Sequence, residues 1–120
     1  MGSLHFVGGE KGGVGKSFVS RLLSQYFIDQ GSPFMGFDTD NSHGTYSRFY
    51  KDYVTPITVD DVTRLDGIID AAESRFDSNI VVDLAAQTSQ KLLTWIEESD
   101  LFAIMDELGF RIYIWYIMDD

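Results

Sequence analysis

The residues best suited to chemistry lie in a glycine-rich stretch near the start of the chain, GGEKGGVGKS at positions 8–17. Its glycines let the backbone adopt positive φ angles and turn N–H groups inward, so that these groups can surround a polyphosphate. Lys16 can then reach the outer phosphates as a mobile cation. Ser17 stands where an amphipathic helix is expected to begin, which puts its hydroxyl within reach of a phosphate-bound Mg²⁺ ion. The stretch therefore predicts a phosphate-binding loop between a strand and a helix.

The spacing of this loop departs from the common form G-x-x-x-x-G-K-[ST], because Glu10 occupies the place of the first glycine. Residues 11–17 match the variant K-G-G-x-G-K-[ST], and in this they resemble the deviant Walker A loop of the ParA/MinD family of P-loop ATPases. The resemblance implies that Lys11 reaches across a nucleotide-bound dimer to the phosphates of the other subunit, whereas Lys16 binds phosphate in its own subunit. It also implies that ATP and Mg²⁺ are held by the loop residues Gly12, Gly13, Val14, Gly15, Lys16 and Ser17.

Two aspartates, Asp38 and Asp40, follow a predicted second strand, Phe34–Phe37. In a doubly wound sheet, ligands bind at the carboxyl ends of the strands beside the phosphate loop. A carboxylate there can orient water or hold the water shell of a metal ion. The resemblance assigns the positioning of the attacking water to Asp40, and Asp38 is a further candidate for the metal. Where the family often continues with Pro-Gln, this chain has Asn41-Ser42.

A third strand is predicted over Asn79–Leu84, and Asp83 lies near its end. An apolar strand that ends in aspartate fits a Walker B element, in which the carboxylate reaches Mg²⁺ through water. The family commonly has two prolines shortly after this aspartate, whereas this chain has Ala85-Ala86. Ser17 and Asp83 are thus predicted contacts of Mg²⁺, and Asp83 acts through water.

The remaining apolar pattern predicts an α/β fold. Short apolar runs without alternation are typical of buried parallel strands, and apolar residues at three- and four-residue steps indicate helices. A helix from Ser17 is expected to end at Gly31, which can take the left-handed C-cap conformation. We expect a three-layer P-loop NTPase-like fold, in one domain over residues 1–120, with a mainly parallel sheet flanked by helices and incomplete at the C-terminus. The other predicted strands are Leu4–Val7 and Arg111–Met118. Three further helices are predicted: one that follows Asp60 or Asp61, one that begins at Ser89, and one over Leu101–Leu108 that ends at Gly109.

Two features allow different interpretations. Residues 46–56 interleave aromatic and basic side chains, which could stack on nucleic-acid bases, but a short helix that packs its aromatic rings on the sheet is the preferred interpretation. His5 in the first strand could act as a base, but a hydrogen-bonded core histidine is preferred.

Composition limits the classes of function. The chain has 120 residues, no cysteine and a net charge of −10, with 44% hydrophobic residues. The absence of cysteine excludes disulfides and iron–sulfur clusters in this chain. An acidic surface repels phosphate backbones, so we expect DNA to be a partner only indirectly or through other segments. No signal or membrane-spanning segment is predicted, and a cytoplasmic protein that does not bind membranes is expected.

The resemblance covers the first half of a ParA/MinD-type domain. It implies a Mg²⁺-dependent ATPase switch in plasmid or chromosome partition, positioning or conjugative transfer, with a partner protein that stimulates hydrolysis. We expect a homodimer, formed with ATP or through the apolar C-terminal strand. One alternative is a nucleotide-binding interaction module without significant turnover. Another is a metabolic P-loop phosphotransferase, but such enzymes usually lack a second lysine like Lys11. The sequence leaves the choice between ATP and GTP open.

Overall fold

The computed structural model describes residues 2–9, 14–39, 50, 52–56, 62–75, 77–84 and 89–117. Within these residues the chain forms five strands and four helices that alternate along most of its length. The strands are β1 (Ser3–Gly9), β2 (Phe34–Asp38), β3 (Val54–Pro56), β4 (Asn79–Asp83) and β5 (Arg111–Ile117). The helices are α1 (Val14–Asp29), α2 (Val62–Ser74), α3 (Ser89–Ser99) and α4 (Leu101–Leu108).

The strands form one sheet in the order β3-β2-β4-β1-β5, and every described pair of neighbours is parallel. β4 therefore lies at the centre, and its residues Ile80, Val81 and Val82 are fully buried. Such burial on both sides explains why β4 is a continuous apolar run rather than an alternating one. The predicted α/β fold with a parallel sheet is confirmed.

Helices cover both faces of the sheet, so the fold has three layers. On one face, Leu4 and Phe6 of β1 pack with apolar residues of α2, α3 and α4 around the buried Trp95. On the other face, Val7 of β1 packs with residues of α1, including Phe27. Alternate residues of β1 thus serve two separate cores, which fixes the register of the strand.

Two glycines end helices as the sequence predicts. Gly31 follows α1 with φ 68°, and its N–H donates to the carbonyl of Ile28 at 3.0 Å. Gly109 follows α4 with φ 80° in the same left-handed conformation. Other residues adopt this conformation at a cost, so glycine at both positions sets where the next strand begins.

The segment before α2 corrects the preferred interpretation of residues 46–56. Val54–Pro56 forms β3, an edge strand paired with β2, and residues 52 and 53 lie in a turn, so the described part of this segment is not a helix. Pro56 fits an edge because proline cannot donate to a further strand. The expected packing of aromatic rings on the sheet is confirmed for Tyr50 and Tyr53, whose rings contact that of Phe34.

None of the helices in the described ranges is long and apolar enough to cross a lipid bilayer.

Candidate nucleotide-binding site

The phosphate-binding stretch joins β1 to α1. β1 ends at Gly9, and α1 begins at Val14, three residues earlier than the sequence predicts. The backbone of residues 14–17 is therefore the first turn of α1, whose N–H groups have no partner within the helix. Such a helix start, at the carboxyl edge of a parallel sheet, favours an anion. The predicted residues Lys11, Gly12 and Gly13 lie outside the described residues, as do the side chains of residues 14–17.

Asp83 lies at the end of the central strand and is buried, with 2% of its surface exposed. Its Oδ1 accepts a hydrogen bond from the hydroxyl of Ser20 in α1 at 2.7 Å. Ser20 follows Ser17 by three residues, so the two positions lie on one side of the helix. The carboxyl group of Asp83, which is predicted to hold the metal, thus contacts α1 one turn after Ser17, which is predicted to bind the same ion.

Asp38 lies beside Asp83, because the two residues are register partners at the ends of β2 and β4. Asp38 is also buried, with 1% of its surface exposed. The next residue, Thr39, ties the two strand ends together: its N–H donates to the carbonyl oxygen of Asp83 at 2.9 Å, and its hydroxyl donates to the same oxygen at 3.0 Å. The structure therefore brings two predicted site residues together, while Asp40 lies outside the described residues.

Ser20 and Thr39 are the functional candidates that the sequence interpretation missed. No motif marks either residue. A weak signal exists for Ser20, since a small polar residue within the buried stripe of a helix needs a partner. The partner of Ser20 lies 63 positions away in the sequence, and only the folded sheet brings it near.

β1 also contains His5, two residues before Val7. It is buried, its Nδ1 accepts a hydrogen bond from the indole N–H of Trp115 at 3.0 Å, and its Nε2 lies 2.9 Å from the hydroxyl oxygen of Ser3. Burial lowers the pKa of His5 to about 4. The preferred interpretation of His5 as a hydrogen-bonded core histidine is confirmed.

The chemistry of these groups fits Mg²⁺ bound together with phosphates. The described residues contain no cluster of three or more acidic, histidine or cysteine side chains that could hold a metal ion by themselves. Mg²⁺ usually keeps several waters and binds one or two carboxylates plus phosphate oxygens, rather than a cage made by protein alone. Two buried carboxyl groups beside a helix start match this pattern.

The fold has a known counterpart. A designed protein with a P-loop NTPase fold, solved by NMR, superimposes on 98% of this chain and 83% of its own, with a TM-score of 0.52 and 10% sequence identity. The fold is that of a P-loop NTPase. Proteins with this fold bind phosphates at the loop after the first strand and at the carboxyl edge of the sheet. The predicted site residues belong to these two regions of the sequence.

Three natural proteins resemble the sequence. Protein MobD of Acidithiobacillus ferrooxidans is 28% identical over 90 residues, which are 73% of this chain and 40% of MobD. Two proteins named TraL from Escherichia coli are 25% and 23% identical over 119 residues, 95% of this chain and 49% of each relative. The chain spans half the length of these relatives or less. No protein-family model matches the chain.

Proposed function

We propose that the protein binds ATP with Mg²⁺ and hydrolyses it. It acts as a molecular switch of the ParA/MinD type in conjugative transfer. The observation that carries the proposal is the position of Asp83. Its carboxyl group accepts a hydrogen bond from Ser20 at 2.7 Å, one helical turn from Ser17, at the edge of the sheet where β1 ends and α1 begins. The similarity to TraL and MobD supports conjugative transfer over partition or positioning.

The proposal assigns a role to each predicted site residue. The amides of residues 12–15 and the Lys16 ammonium bind phosphate oxygens, and the Ser17 hydroxyl is a ligand for Mg²⁺. Asp83, with Asp38 beside it, binds the water shell of the ion. The bound ion supplies positive charge that neutralises the phosphate oxygens. Asp40 orients the attacking water, so that catalysis depends on positioning and charge stabilisation.

Lys11 has a separate role in the proposal. It contacts the phosphates of a second subunit, so a nucleotide-dependent dimer forms with one Lys11 from each copy. A partner protein that stimulates hydrolysis, and DNA bound indirectly, are part of the same proposal.

Calorimetric titration with ATP and Mg²⁺, together with a phosphate-release assay and light scattering, tests this function. Lys16→Ala is expected to lose ATP binding, because the remaining contacts do not neutralise the outer phosphates. Lys11→Ala is expected to keep ATP binding in its own subunit and to lose the dimer. The same titration with GTP tests whether the protein binds ATP or GTP more tightly. ATP turnover that is unchanged in Lys16→Ala would contradict the proposal.

A second function is favoured by the departures of the sequence from the family pattern. Glu10 stands where the common phosphate loop has glycine, and Asn41-Ser42 and Ala85-Ala86 stand where ParA/MinD proteins often have other residues. A nucleotide-binding interaction module without significant turnover accommodates these changes, because binding needs the loop and the metal site but not the water-positioning switch. ATP binding without phosphate release, with Asp40→Asn indistinguishable from the unmodified chain, would favour this function.

A further inference from the structure

The pairings of β2 and β4 end at one level of the sheet. The last described partners of β4 are Asp38 in β2 and Val7 in β1, and both lie opposite Asp83. The last described pair of β2 and β3 joins the same Asp38 to Pro56. Thr39 is therefore the first residue beyond this level on the β2 side, at the carboxyl edge where a P-loop fold binds its ligand.

Thr39 is fixed to β4 by two hydrogen bonds to a single oxygen. Its N–H donates to the carbonyl oxygen of Asp83 at 2.9 Å, and its hydroxyl donates to the same oxygen at 3.0 Å. Thr39 is buried, with 4% of its surface exposed. A β-branched side chain has few χ1 rotamers, and the hydroxyl bond selects one of them. Both the backbone and the side chain of Thr39 thus have a defined position after the strand has ended.

The hydroxyl of Thr39 is not needed to build the strand. The carbonyl oxygen of Asp83 already has the N–H of Thr39 as a partner, and one partner satisfies a buried carbonyl. Valine has the same shape and a high preference for strands, and it does not bury a hydroxyl group. The sheet alone therefore gives no reason for threonine at this position, whereas a requirement for a fixed orientation does.

The group that receives these bonds is itself fixed from two further sides. The side chain of Asp83 accepts the hydrogen bond from Ser20 in α1 at 2.7 Å. The N–H of the next residue, Leu84, donates to the carbonyl oxygen of Val7 in β1 at 2.9 Å. Thr39 is thus attached to the same framework that orients the carboxyl group predicted to bind the water shell of Mg²⁺.

We propose, on the basis of the proposed function, that Thr39 is a positioning residue for ATP hydrolysis. Asp40, which is assigned to the attacking water, follows Thr39 directly in the sequence. The hydroxyl bond to the Asp83 carbonyl fixes the residue from which the chain continues to Asp40. The reaction depends on this placement, because a misplacement of about 1 Å caused by a change outside the reacting groups can slow an enzyme about 100-fold. Thr39 acts through Asp40 and not on the nucleotide.

Steady-state phosphate release by two variants of Thr39 tests this role. Thr39→Val keeps the shape and the N–H bond but removes the hydroxyl, and kcat is expected to fall about 10-fold. The KM for ATP and the Mg²⁺ dependence are expected to stay unchanged, because the phosphate loop, Ser17 and Asp83 make those contacts. Thr39→Ser restores the hydroxyl and is expected to recover most of the turnover. Rates are divided by the number of ATP-binding sites found by calorimetry, so that unfolded protein is not counted.

Ser24→Ala is the matched control for the loss of a buried hydroxyl bond. Ser24 is buried in α1, and its hydroxyl donates to the backbone carbonyl of Ser20 at 2.8 Å, two turns beyond Ser17. This variant loses a bond of the same kind away from the carboxyl edge of the sheet, and its kcat is expected to match that of the unmodified chain. A rise in KM without a change in kcat in Thr39→Val, or an equal loss of kcat in Thr39→Ser, would overturn the proposed role.

A double-mutant cycle tests whether Thr39 acts through Asp40. Single-turnover phosphate release measures slow variants, and Asp40→Asn is expected to lower the rate by removing the group that orients water. Thr39→Val is expected to cause no further loss in the Asp40→Asn background, because the residue it positions no longer acts. A loss by the same factor in both backgrounds would show that Thr39 has a general structural role and would overturn the inference.

The same assays separate this inference from the proposed function. Turnover that Lys16→Ala abolishes and Thr39→Val leaves unchanged would overturn the role of Thr39 alone and leave the proposed ATPase intact. Turnover that is absent from the unmodified chain, or that persists in Lys16→Ala, would overturn the proposed function and the role of Thr39 with it.

Discussion

The hydroxyl of Ser20 donates a hydrogen bond to Oδ1 of Asp83 at 2.7 Å, and both residues are buried. The bond joins the helix that follows the phosphate loop to the central strand of the sheet. A carboxyl group with a fixed partner keeps its orientation, which a water-mediated contact to a metal ion requires. Ser20 is therefore a positioning residue in the proposed site, acting through Asp83 and not on the nucleotide.

Replacing Ser20 tests this relationship first through stability. Ser20→Ala removes a hydrogen bond from a buried carboxyl group, and we expect the free energy of unfolding to fall by about 1–3 kcal/mol in urea denaturation. The matched control is Ser24→Ala, one turn further along α1. The hydroxyl of Ser24 donates to the backbone carbonyl of Ser20 at 2.8 Å, and such a bond to the preceding turn adds little to a helix. A loss in Ser24→Ala equal to that in Ser20→Ala would contradict the special position of Asp83.

The same variants test the positioning role. Ser20→Ala is expected to weaken the Mg²⁺ dependence of ATP binding, with little change in affinity when Mg²⁺ is absent. Ser20→Thr retains the hydroxyl and should restore the Mg²⁺ dependence if its extra methyl group is accommodated. Asp83→Asn gives the upper limit of the effect, because it removes the charge itself. An identical Mg²⁺ dependence in Ser20→Ala and the unmodified chain would leave Ser20 with a structural role alone.

The sequence predicted the parts of the fold that rest on local rules. Four strands, the ends of α1 and α4 at Gly31 and Gly109, and the P-loop NTPase fold are confirmed. These features follow from apolar runs and from glycines that take a left-handed conformation, both visible in a few neighbouring residues. The predicted site residues at positions 11–17, 38, 40 and 83 remain predictions of function.

The features that the sequence did not predict depend on distant residues. β3 has three residues, and its proline and the preceding aromatic residues obscure its extended pattern. It forms because β2 offers an edge, with the N–H of Gly36 donating to the carbonyl of Tyr53 at 2.9 Å. The bond from Ser20 to Asp83 likewise joins residues 63 positions apart. Neither contact has a local signature.

Trp95 is buried in the core between the sheet and the three helices that cover one of its faces. It is 1% exposed, and its indole N–H donates to Oδ1 of Asp66 in α2 at 2.9 Å. Trp95→Ala is expected to lower the free energy of unfolding by about 3–5 kcal/mol, because it leaves a cavity and removes this bond. Phe102→Ala, an exposed ring on α4, should change it by less than about 0.5 kcal/mol. Urea denaturation of both variants checks the difference, and equal values would contradict the assigned core.

The hydrogen bond from Trp115 to His5 fixes the protonation of the histidine. An indole N–H can only donate, so Nδ1 of His5 accepts and carries no proton. Nε2 then carries the proton and donates to the hydroxyl of Ser3 at 2.9 Å, and that hydroxyl donates to Oδ1 of Asn79 at 2.6 Å. The chain of bonds crosses β5, β1 and β4, and it requires the neutral form of the imidazole ring.

This requirement makes stability depend on pH. Burial lowers the pKa of His5 from 6.5 to about 4, so between these values the unfolded chain binds a proton that the folded chain does not. The contribution of His5 is therefore complete above pH 6.5 and is lost as the pH falls towards 4, by at most about 3 kcal/mol. Urea denaturation of the unmodified chain and of His5→Gln at pH values on both sides of this window measures it. Because the acidic residues titrate in both proteins, the difference between the two isolates His5. We expect the stability advantage of the unmodified chain to shrink as the pH is lowered, whereas a constant difference would show that the pKa of His5 is the same in the folded and the unfolded chain.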